Sequence, residues 1–403
     1  MAEAQAAPTA GRSYVALVSL ITAVVGLGPL SVSFYIPSMP AIAQALGAAP
    51  SAVQATLTFY LLGFAVAQLV IGPLSDRFGR MPVLLAGMTT YLVASVGCAL
   101  APTVEVLWFA RLVQGIAACT GPVVGRAIVR DLFEGTVAIR VFSFIGTAIA
   151  LAPAIGPIIG GAIQEWLGWQ ANFLALALIA LVLILLVRRR LTESNGELKL
   201  DALRPRRLVS IYRDLIVNRR YMGNVVPGTC AFAGLMTYTA SAPFLFIHEV
   251  GLSPGEFGLI TIFHVSGYAL GAFLAGRLAA HVAPFRIILA GFVLLVTGGL
   301  VMTVLAGEVS VFRIIGPFVI YTIGFGLLLP PSIAAALQPF PRVAGSASAL
   351  LGFMQFGASA GTSIWAAGIY AGTAAPIGWF QFSLGAAGLI LFVLLRPWRE
   401  APE

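Results

Sequence analysis

Two side chains capable of charge or proton chemistry lie inside long apolar runs of the sequence, Arg111 and His264. A cation in hydrocarbon costs at least ~2.5 kcal/mol, so Arg111 must face protein or water. It is expected either to be functional or to be a structural anchor whose head reaches outward. His264, with a free pKa of about 6.5, can gain and lose a proton near neutrality. The alternative is a neutral histidine hydrogen-bonded between helices.

Other reactive residue types are placed where they favour no chemistry. All 15 acidic side chains lie at the ends of apolar runs or between them. Cys98, Cys119 and Cys230 lie in apolar runs without paired spacing and are interpreted as small hydrophobic residues. The only lysine, Lys199, is outside any glycine-rich phosphate loop, which excludes ATP-driven pumping by this chain alone. We therefore predict no metal, no cofactor and no enzyme activity.

The composition requires lipid around most of the chain. Of 403 residues, 59% are hydrophobic and only 9% are charged, whereas a soluble domain carries about 25% charged residues. At roughly 20 apolar residues for each transmembrane helix, the chain has room for about a dozen. The fold class predicted is an all-α membrane protein.

Twelve apolar runs of spanning length follow one another, and we number them spans 1 to 12. They are 14–36, 51–71, 81–101, 104–126, 141–164, 168–187, 221–247, 255–276, 285–306, 312–335, 344–370 and 376–395. The charged interval 188–220 divides them six to six, which predicts helix bundles at 1–187 and 221–403. The interval itself is interpreted as a solvated cytoplasmic linker or, alternatively, as a segment that binds anionic lipid headgroups.

Basic residues predict the orientation. With the N-terminus in the cytoplasm, every basic side chain except Arg111 and Arg313 is on the cytoplasmic side, so both termini are expected there. The formal charge of +8 could suggest nucleic acid as a partner, but this one-sided placement of the basic residues argues against it.

An internal repeat supports the division into two bundles: segment 61–87 matches 265–291 without gaps, and both end in Leu-Ala-Gly. Two parallel six-helix repeats suggest a transporter with its site between them.

A nonapeptide between spans 2 and 3 combines turn formers with charges, Gly72-Pro-Leu-Ser-Asp76-Arg77-Phe-Gly79-Arg80. Gly72 should let two helices approach closely, and Gly79 permits a turn forbidden to most residues. Asp76 is an anion near helix N-termini, and the two arginines supply pairing partners. The peptide closely resembles the signature of the major facilitator superfamily at the same inter-span position.

Two further motifs resemble a subgroup of that superfamily, the Bcr/CflA-type twelve-span drug/proton antiporters. Span 4 carries Arg111-Leu-Val-Gln114-Gly, and span 5 carries a proline and glycine motif similar to that of the superfamily's exporters. The motif residues are Pro153, Gly156, Pro157, Gly160 and Gly161. The resemblance implies a major facilitator fold of two six-helix bundles. It also implies export of small compounds of the bicyclomycin or chloramphenicol type from a bacterial inner membrane.

The resemblance also implies roles for individual residues. The span 2–3 motif would be a cytoplasmic latch of the outward-open state, with Asp76 facing the N-terminus of span 11 and Arg80 paired with Asp131. Arg111 matches an arginine that is associated with proton movement in the Bcr/CflA-type transporters. The span 5 prolines and glycines should interrupt that helix, and the kink is expected to act in gating or to be purely structural.

Relatives often have an aspartate where this chain has Ser33, so we keep two rivals to proton antiport open. They are a metabolite exporter or facilitator without proton coupling, and a membrane sensor that does not transport. The transporter is expected to be a monomer in the bilayer, with protons and a small amphiphile as partners.

A substrate cavity between the bundles should be lined by polar and aromatic residues of the spans. The candidates are Tyr35, Tyr60, Gln114, Tyr238, Tyr268, Tyr321 and Gln355. Filling of helix interfaces is the alternative role of the aromatic ones. A cavity with one fixed cation, Arg111, and no anion should favour neutral, zwitterionic or weakly anionic amphiphiles over lipophilic cations.

Overall fold

A computed structural model of the protein describes residues 12–196, 198, 200–307, 310–368 and 372–398. Every regular element in these residues is helical. That outcome follows from the apolar composition, because a backbone in lipid must satisfy its hydrogen bonds within the segment, as a helix does.

The first half contains spans 1 to 6. Span 1 is helix Arg12–Tyr35, a 3-10 turn Ile36–Ser38 and helix Met39–Ala45, and span 4 is the pair Val104–Ala118 and Thr120–Leu132. The remaining spans of this half are the helices Pro50–Phe78, Arg80–Ala99, Gly135–Leu167 and Trp169–Arg190. Gly79 and Gly168, with φ of 98° and 83°, end spans 2 and 5 in conformations that favour glycine.

The second half contains spans 7 to 12. Span 7 is helix Arg219–Pro243, extended by a π-helical turn at Phe244–Glu249. The others are Pro254–Leu278, Pro284–Leu305, Val311–Leu337, Ala344–Gly368 and Ala375–Leu395. Ser253 and Glu256 form a capping box at the start of span 8, satisfying backbone N–H groups at its first turn.

Eleven helical segments of the described residues are long and apolar enough to cross a membrane. The predicted span that is not among these eleven is span 11, helix Ala344–Gly368, which contains Gln355 among many glycines and serines. The predicted end of that span, 369–370, lies outside the described residues.

The interval 188–220 contains a helix that the sequence analysis missed, Pro205–Val217. One of its faces packs on the second half: Leu215 is buried in a cluster with Tyr221, Val225 and Ala347. On the same helix, the Tyr212 hydroxyl donates to the backbone oxygen of Leu69 in span 2, at 3.1 Å. The interval therefore contacts both halves.

The two halves meet most extensively through two pairs of spans, 2 with 11 and 5 with 8. The internal repeat relates spans 2 and 5 of the first half to spans 8 and 11 of the second. The two interfaces are therefore repeat equivalents of each other, as expected for halves related by an approximate two-fold axis.

Candidate functional site

A cavity of about 350 Å³ lies between the halves, within the size range of small-molecule sites. Its wall is formed by spans 1, 2, 5, 7, 8, 10 and 11. Its residues are Pro29, Val32, Ser33, Ile36, Leu61, Gly146, Ile149, Ala150, Pro153, Pro157, Phe232, Leu235, Met236, Tyr238, Thr239, Ala242, Phe257, Thr261, His264, Val265, Tyr268, Thr322, Phe325, Leu329 and Phe356. Among these described lining residues there is no Asp, Glu, Lys or Arg.

His264 lies in this wall, inside an aromatic group. Its ring centre is 5.2 Å from that of Phe318 and 6.2 Å from that of Tyr238. The rings of Tyr238 and Phe318 stack on each other. Neither imidazole nitrogen hydrogen-bonds to another described residue, so the structure does not have the interhelical hydrogen bond of the alternative interpretation.

Of the seven candidate cavity residues, only Tyr238 and Tyr268 are part of the wall. The other five are buried outside the wall, and four of them, Tyr35, Tyr60, Gln114 and Tyr321, hydrogen-bond to protein groups. The Tyr321 hydroxyl donates to the backbone oxygen of Ala231 at 2.7 Å, which joins spans 10 and 7. Gln355 is buried beside the wall residue Phe356 but does not line the cavity. For Tyr321 and Gln355 the prediction of a cavity position is wrong.

Tyr35, Tyr60 and Gln114 surround Arg111 instead of lining the cavity. The Arg111 side chain is fully buried inside the first half. Its guanidinium carbon lies 4.4 Å from the ring centre of Tyr35 and 4.4 Å from that of Tyr60, and its Nη1 donates to Gln114 Oε1 at 2.6 Å. The prediction of these three as cavity residues is wrong, because the buried cation needs the two ring faces and the amide oxygen.

The charge of Arg111 has no counter-anion among the described residues. Its Nε and Nη2 atoms are buried without a hydrogen-bond partner in that part of the chain. The head neither reaches outward nor joins the cavity wall, so both the anchor interpretation and the expectation of a fixed cation in the cavity are wrong. The ring faces stabilise the cation electrostatically.

A polar network that the sequence analysis missed continues from Gln114. Its Nε2 donates to Ser95 Oγ at 2.8 Å, and Ser95 Oγ donates to the backbone oxygen of Tyr91 at 2.8 Å. The Tyr91 and Ser31 hydroxyls share a hydrogen bond. The network joins spans 4, 3 and 1. The available signal was a set of polar residues inside apolar runs, which are costly in lipid unless paired.

The span 2–3 motif forms an ionic cluster within the first half. Arg80 Nη1 lies 2.5 Å from Asp76 Oδ1, and Arg80 Nε lies 2.9 Å from Asp131 Oδ2. The Asp76 carboxylate is thus bound to Arg80 and makes no hydrogen bond to span 11 among the described residues. The contact with span 11 that the resemblance implies for the outward-open state stays a prediction. The Arg77 guanidinium lies 5.3 Å from the ring centre of Phe78.

Gly72 does not mediate the close helix approach predicted for it. The nearest heavy atom to a Cβ placed there would be 3.9 Å away, which is ordinary contact. Span 2 makes its close approach to span 4 at Gly63 and Gly115 instead, where a Cβ would overlap the facing backbone. Sequence alone did not distinguish these glycines, because all lie in similar apolar surroundings.

The linker completes the ionic cluster, which we had not predicted. The Glu193 carboxylate accepts from the backbone N–H of Arg80 at 2.9 Å and of Met81 at 3.0 Å, and so caps span 3. Ser194 Oγ donates to Asp131 Oδ2 at 3.1 Å. Burial by itself would raise the pKa of Glu193, but hydrogen bonds from the backbone N–H groups of residues 195, 81 and 80 outweigh it and hold that pKa below its usual value.

Span 5 remains one helix, Gly135–Leu167, with both prolines inside it. The helix continues across both prolines, because each removes only its own N–H and the flanking turns keep theirs. The kink and its role in gating stay predictions. The glycines do provide close packing. Gly156 and Gly160 lie against Ser33 and Phe34 of span 1.

The C-terminal end of span 5 and the N-terminal end of span 8 are in direct contact. Gly161 lies against the backbone of Pro254 and Gly255, and Gly258 lies against the backbone of Pro157. Beside these contacts, Glu165 Oε1 accepts from the backbone N–H of Gly255 at 2.9 Å. One carboxylate of the first half thus caps a helix of the second.

Residues 21–363 match the family described as Major Facilitator Superfamily. The chain belongs to the major facilitator superfamily. Its superfamily relatives include the uncharacterized MFS-type transporter YdgK of Bacillus subtilis (strain 168), 33% identical over 95% of this chain and 96% of the relative. Multidrug resistance protein D of Escherichia coli (strain K12) is 29% identical over 84% of this chain and 85% of the relative. Multidrug resistance protein MdtL of Escherichia coli (strain K12 / DH10B) is 28% identical over 94% and 95%.

A solved superfamily fold agrees with this assignment. The structure of a bacterial homolog of the human lysosomal transporter Spinster, in an inward-facing and occupied conformation, matches with a TM-score of 0.75. It covers 97% of this chain and 99% of the other at 14% identity, so it supports the fold alone. The predicted family and fold are confirmed, and the protein is a multi-pass membrane transporter, not an enzyme.

Proposed function

We propose that this transporter exports small amphiphilic compounds across a bacterial inner membrane by alternating access, driven by proton antiport. The observation that carries the proposal is the apolar cavity between the two halves, with a histidine in its wall. Two of the relatives are named as multidrug resistance proteins. A wall that is mostly hydrophobic and aromatic suits such compounds, because their binding depends on burial more than on specific pairing.

Alternating access requires the contacts at the outer ends to separate. Spans 5 and 8 touch there through Gly161 and Gly258. In addition, Ile36 of span 1 packs into the core of the second half with Tyr238 and Ala242 of span 7. Release to the outside follows when these contacts open and the cytoplasmic ends close. From the resemblance we assign the ionic cluster around Arg80 to stabilising that closed cytoplasmic end, although its contacts in this structure lie within the first half and the linker.

His264 is our candidate for the coupling proton. It is the lining residue with a free pKa near 6.5, and Ser33, at the position where relatives often have an aspartate, cannot take this role. The other titratable groups facing His264 are the hydroxyls of Tyr238 and Tyr268 in the same wall. Arg111 is assigned a supporting role, since its positive charge biases the potential of the first half.

Reconstituted vesicles test this function. Chloramphenicol efflux should accelerate when a pH gradient is imposed across the membrane and return to basal rate when an ionophore collapses that gradient. Protein-free vesicles are the control. In His264→Gln vesicles we expect the pH dependence of transport to shift, and an unchanged profile would return His264 to a packing role.

The second candidate is a metabolite exporter or facilitator without proton coupling, which the serine at position 33 favours. Its Oγ donates to the backbone oxygen of Pro29 at 3.0 Å and offers no titratable group. For this candidate the imposed pH gradient should leave equilibration of the substrate across the membrane unaffected.

We further propose that the transporter is a monomer with both termini in the cytoplasm. Residues 1–11, which include the N-terminus, lie outside the described residues.

A further inference from the structure

The polar groups of the cavity are not distributed evenly between the two halves. The wall contributed by spans 1, 2 and 5 consists of aliphatic residues, prolines and glycine, with Ser33 as its single polar side chain. The Ser33 hydroxyl donates to its own helix at Pro29. The first half therefore offers a ligand an apolar surface and no free hydrogen-bond donor.

The three threonines in the opposite wall are also occupied. Thr239, Thr261 and Thr322 each donate to a backbone oxygen three or four residues earlier in their own helix, at 2.9, 2.6 and 3.0 Å. Their hydroxyl hydrogens are thus used within the protein, and what they present to the cavity is mainly methyl surface.

Three polar side chains of the wall have no hydrogen bond to any described residue: Tyr238, His264 and Tyr268. All three belong to the second half. His264 and Tyr268 are four residues apart on span 8, which places them on one face of that helix. Tyr238 of span 7 is beside them, with 6.2 Å between the ring centres of Tyr238 and His264.

Aromatic rings continue the wall next to this group. The Tyr268 ring centre is 5.7 Å from that of Phe325, and Phe232 lies 6.2 Å from Phe325 and 5.3 Å from Phe356. Rings at these separations form a surface on which a planar ligand can stack or pack edge to face.

Resting on the proposed function, we propose that Tyr238, His264 and Tyr268 are the polar anchor for an uncharged aromatic amphiphile. The ligand's hydrogen-bonding group binds this anchor on the second half, and its apolar body lies against spans 1 and 5. The anchor determines both which ligands are accepted and which half holds them.

The absence of charge in the described wall sets the preference for neutral ligands. An ion transferred from water into an apolar site costs far more than a neutral polar group unless it is paired. Arg111, predicted from the sequence to be a cation in the cavity, is enclosed instead by the rings of Tyr35 and Tyr60. With His264 in its neutral form, cations, anions and zwitterions therefore lack a partner in this wall. The proposed preference is narrower than the neutral, zwitterionic or weakly anionic amphiphiles expected from the sequence.

The test uses four probes that share a naphthalene ring: 2-naphthalenemethanol, 2-methylnaphthalene, trimethyl(2-naphthylmethyl)ammonium and 2-naphthalenesulfonate. Binding to the purified full-length protein in nanodiscs is measured by equilibrium dialysis against empty nanodiscs. We expect the uncharged alcohol to bind at least tenfold more tightly than either charged probe. Equal binding of a charged probe, or no binding of the alcohol, would overturn the inference.

Anchor variants then locate the alcohol's hydrogen bond. Tyr238→Phe, Tyr268→Phe and His264→Phe should each weaken 2-naphthalenemethanol three- to tenfold and leave 2-methylnaphthalene, which has no hydroxyl, unchanged. Thr322→Val is the matched control, because its hydroxyl is already bonded to its own helix. Anchor variants that leave the alcohol unchanged, or weaken both probes equally, would contradict an anchor. Thermal midpoints confirm that the variants fold.

Binding and transport separate this inference from the proposed function. If the alcohol binds with the expected variant pattern but no compound is exported from vesicles, the export function fails and the binding site stands. If vesicles export chloramphenicol while the anchor variants have no effect on naphthalene binding, the function stands and the anchor fails.

Discussion

Arg111 is a buried cation stabilised by ring faces rather than by an anion. The guanidinium lies between the rings of Tyr35 and Tyr60, with a third ring, Phe173, at 5.8 Å. Such contacts contribute about 2 kcal/mol or more each when desolvated, which offsets part of the cost of burial. A site of this kind is sensitive to the loss of the cation, because Gln114 would also lose its donor.

Replacing Arg111 by alanine should therefore abolish transport in vesicles. The amount of protein in the membrane should stay near the wild-type level, because the spans remain apolar enough to insert. Transport rate is measured against membrane level, with Tyr60→Phe as the control that keeps the ring face. Full transport by Arg111→Ala would remove the arginine from the mechanism.

The pair Arg80 and Asp131 offers a second test at the residue scale. The two are in contact at 2.9 Å, so reversing either charge places like charges together. Arg80→Asp and Asp131→Arg should each destroy transport, and the double reversal should restore part of it. Because Arg80 also contacts Asp76, the double reversal is repeated with Asp76→Asn, which removes the second carboxylate facing position 80. Inactivity of the double reversal with and without Asp76→Asn would show that the Arg80–Asp131 pairing does not support the latch.

At the scale of the elements, the linker caps the N-terminus of span 3. Glu193 accepts from two N–H groups at the first turn of span 3, where the helix dipole favours a negative charge. The pKa of Glu193 is lowered in the folded state. Its stabilisation is therefore complete above the unfolded pKa of about 4.3 and is lost as the pH falls through the folded pKa.

We expect Glu193→Gln to be less stable than wild type at pH 7 by about 1 kcal/mol or less, since the carboxylate is largely exposed. The difference should shrink as the pH falls below about 4, because wild type then loses the same charge. Thermal unfolding midpoints in nanodiscs at pH 7 and below pH 4 measure it. A difference that does not depend on pH would rule out the charge as the cause.

The whole molecule consists of two halves joined by interfaces that the repeat makes equivalent. Of these, the interface of spans 5 and 8 contains small residues that bring backbones together, and the Glu165 carboxylate adds one hydrogen bond. An interface of this kind relies on van der Waals packing rather than on strong pairing. Its opening, which the proposed alternating access requires, would break few specific pairs.

A disulfide across this interface should stop the cycle. Glu165→Cys and Gly255→Cys are the pair to test, because a Cβ at Gly255 would lie 3.2 Å from Cδ, near the end of the Glu165 side chain. In the double variant, oxidation should reduce transport to background and reduction should restore it, while each single variant stays unaffected by oxidation. Continued transport by the oxidised, cross-linked protein would show that the outer ends do not separate during the cycle.

The amino-acid sequence by itself determined the membrane class and the helical fold, and its motifs indicated the superfamily. Hydropathy suffices for the helices, because a chain in lipid must form them wherever it is apolar for long enough; the same pattern predicted twelve spans divided six to six. The sequence also selected Asp76, Arg80 and Asp131 of the ionic cluster, since charges are rare enough in this chain to stand out.

Which face each helix turns to the cavity was decided only by the tertiary structure. In lipid, an apolar residue gains little by facing protein rather than the bilayer, so hydrophobic periodicity does not mark the buried side. Tyr35 and Tyr60 therefore looked equivalent to Tyr238 and Tyr268, and only packing placed the first pair around Arg111 and the second on the cavity. The helix cap that Glu193 provides could not be predicted from the sequence, because it joins residues more than a hundred positions apart that only the folded chain brings together.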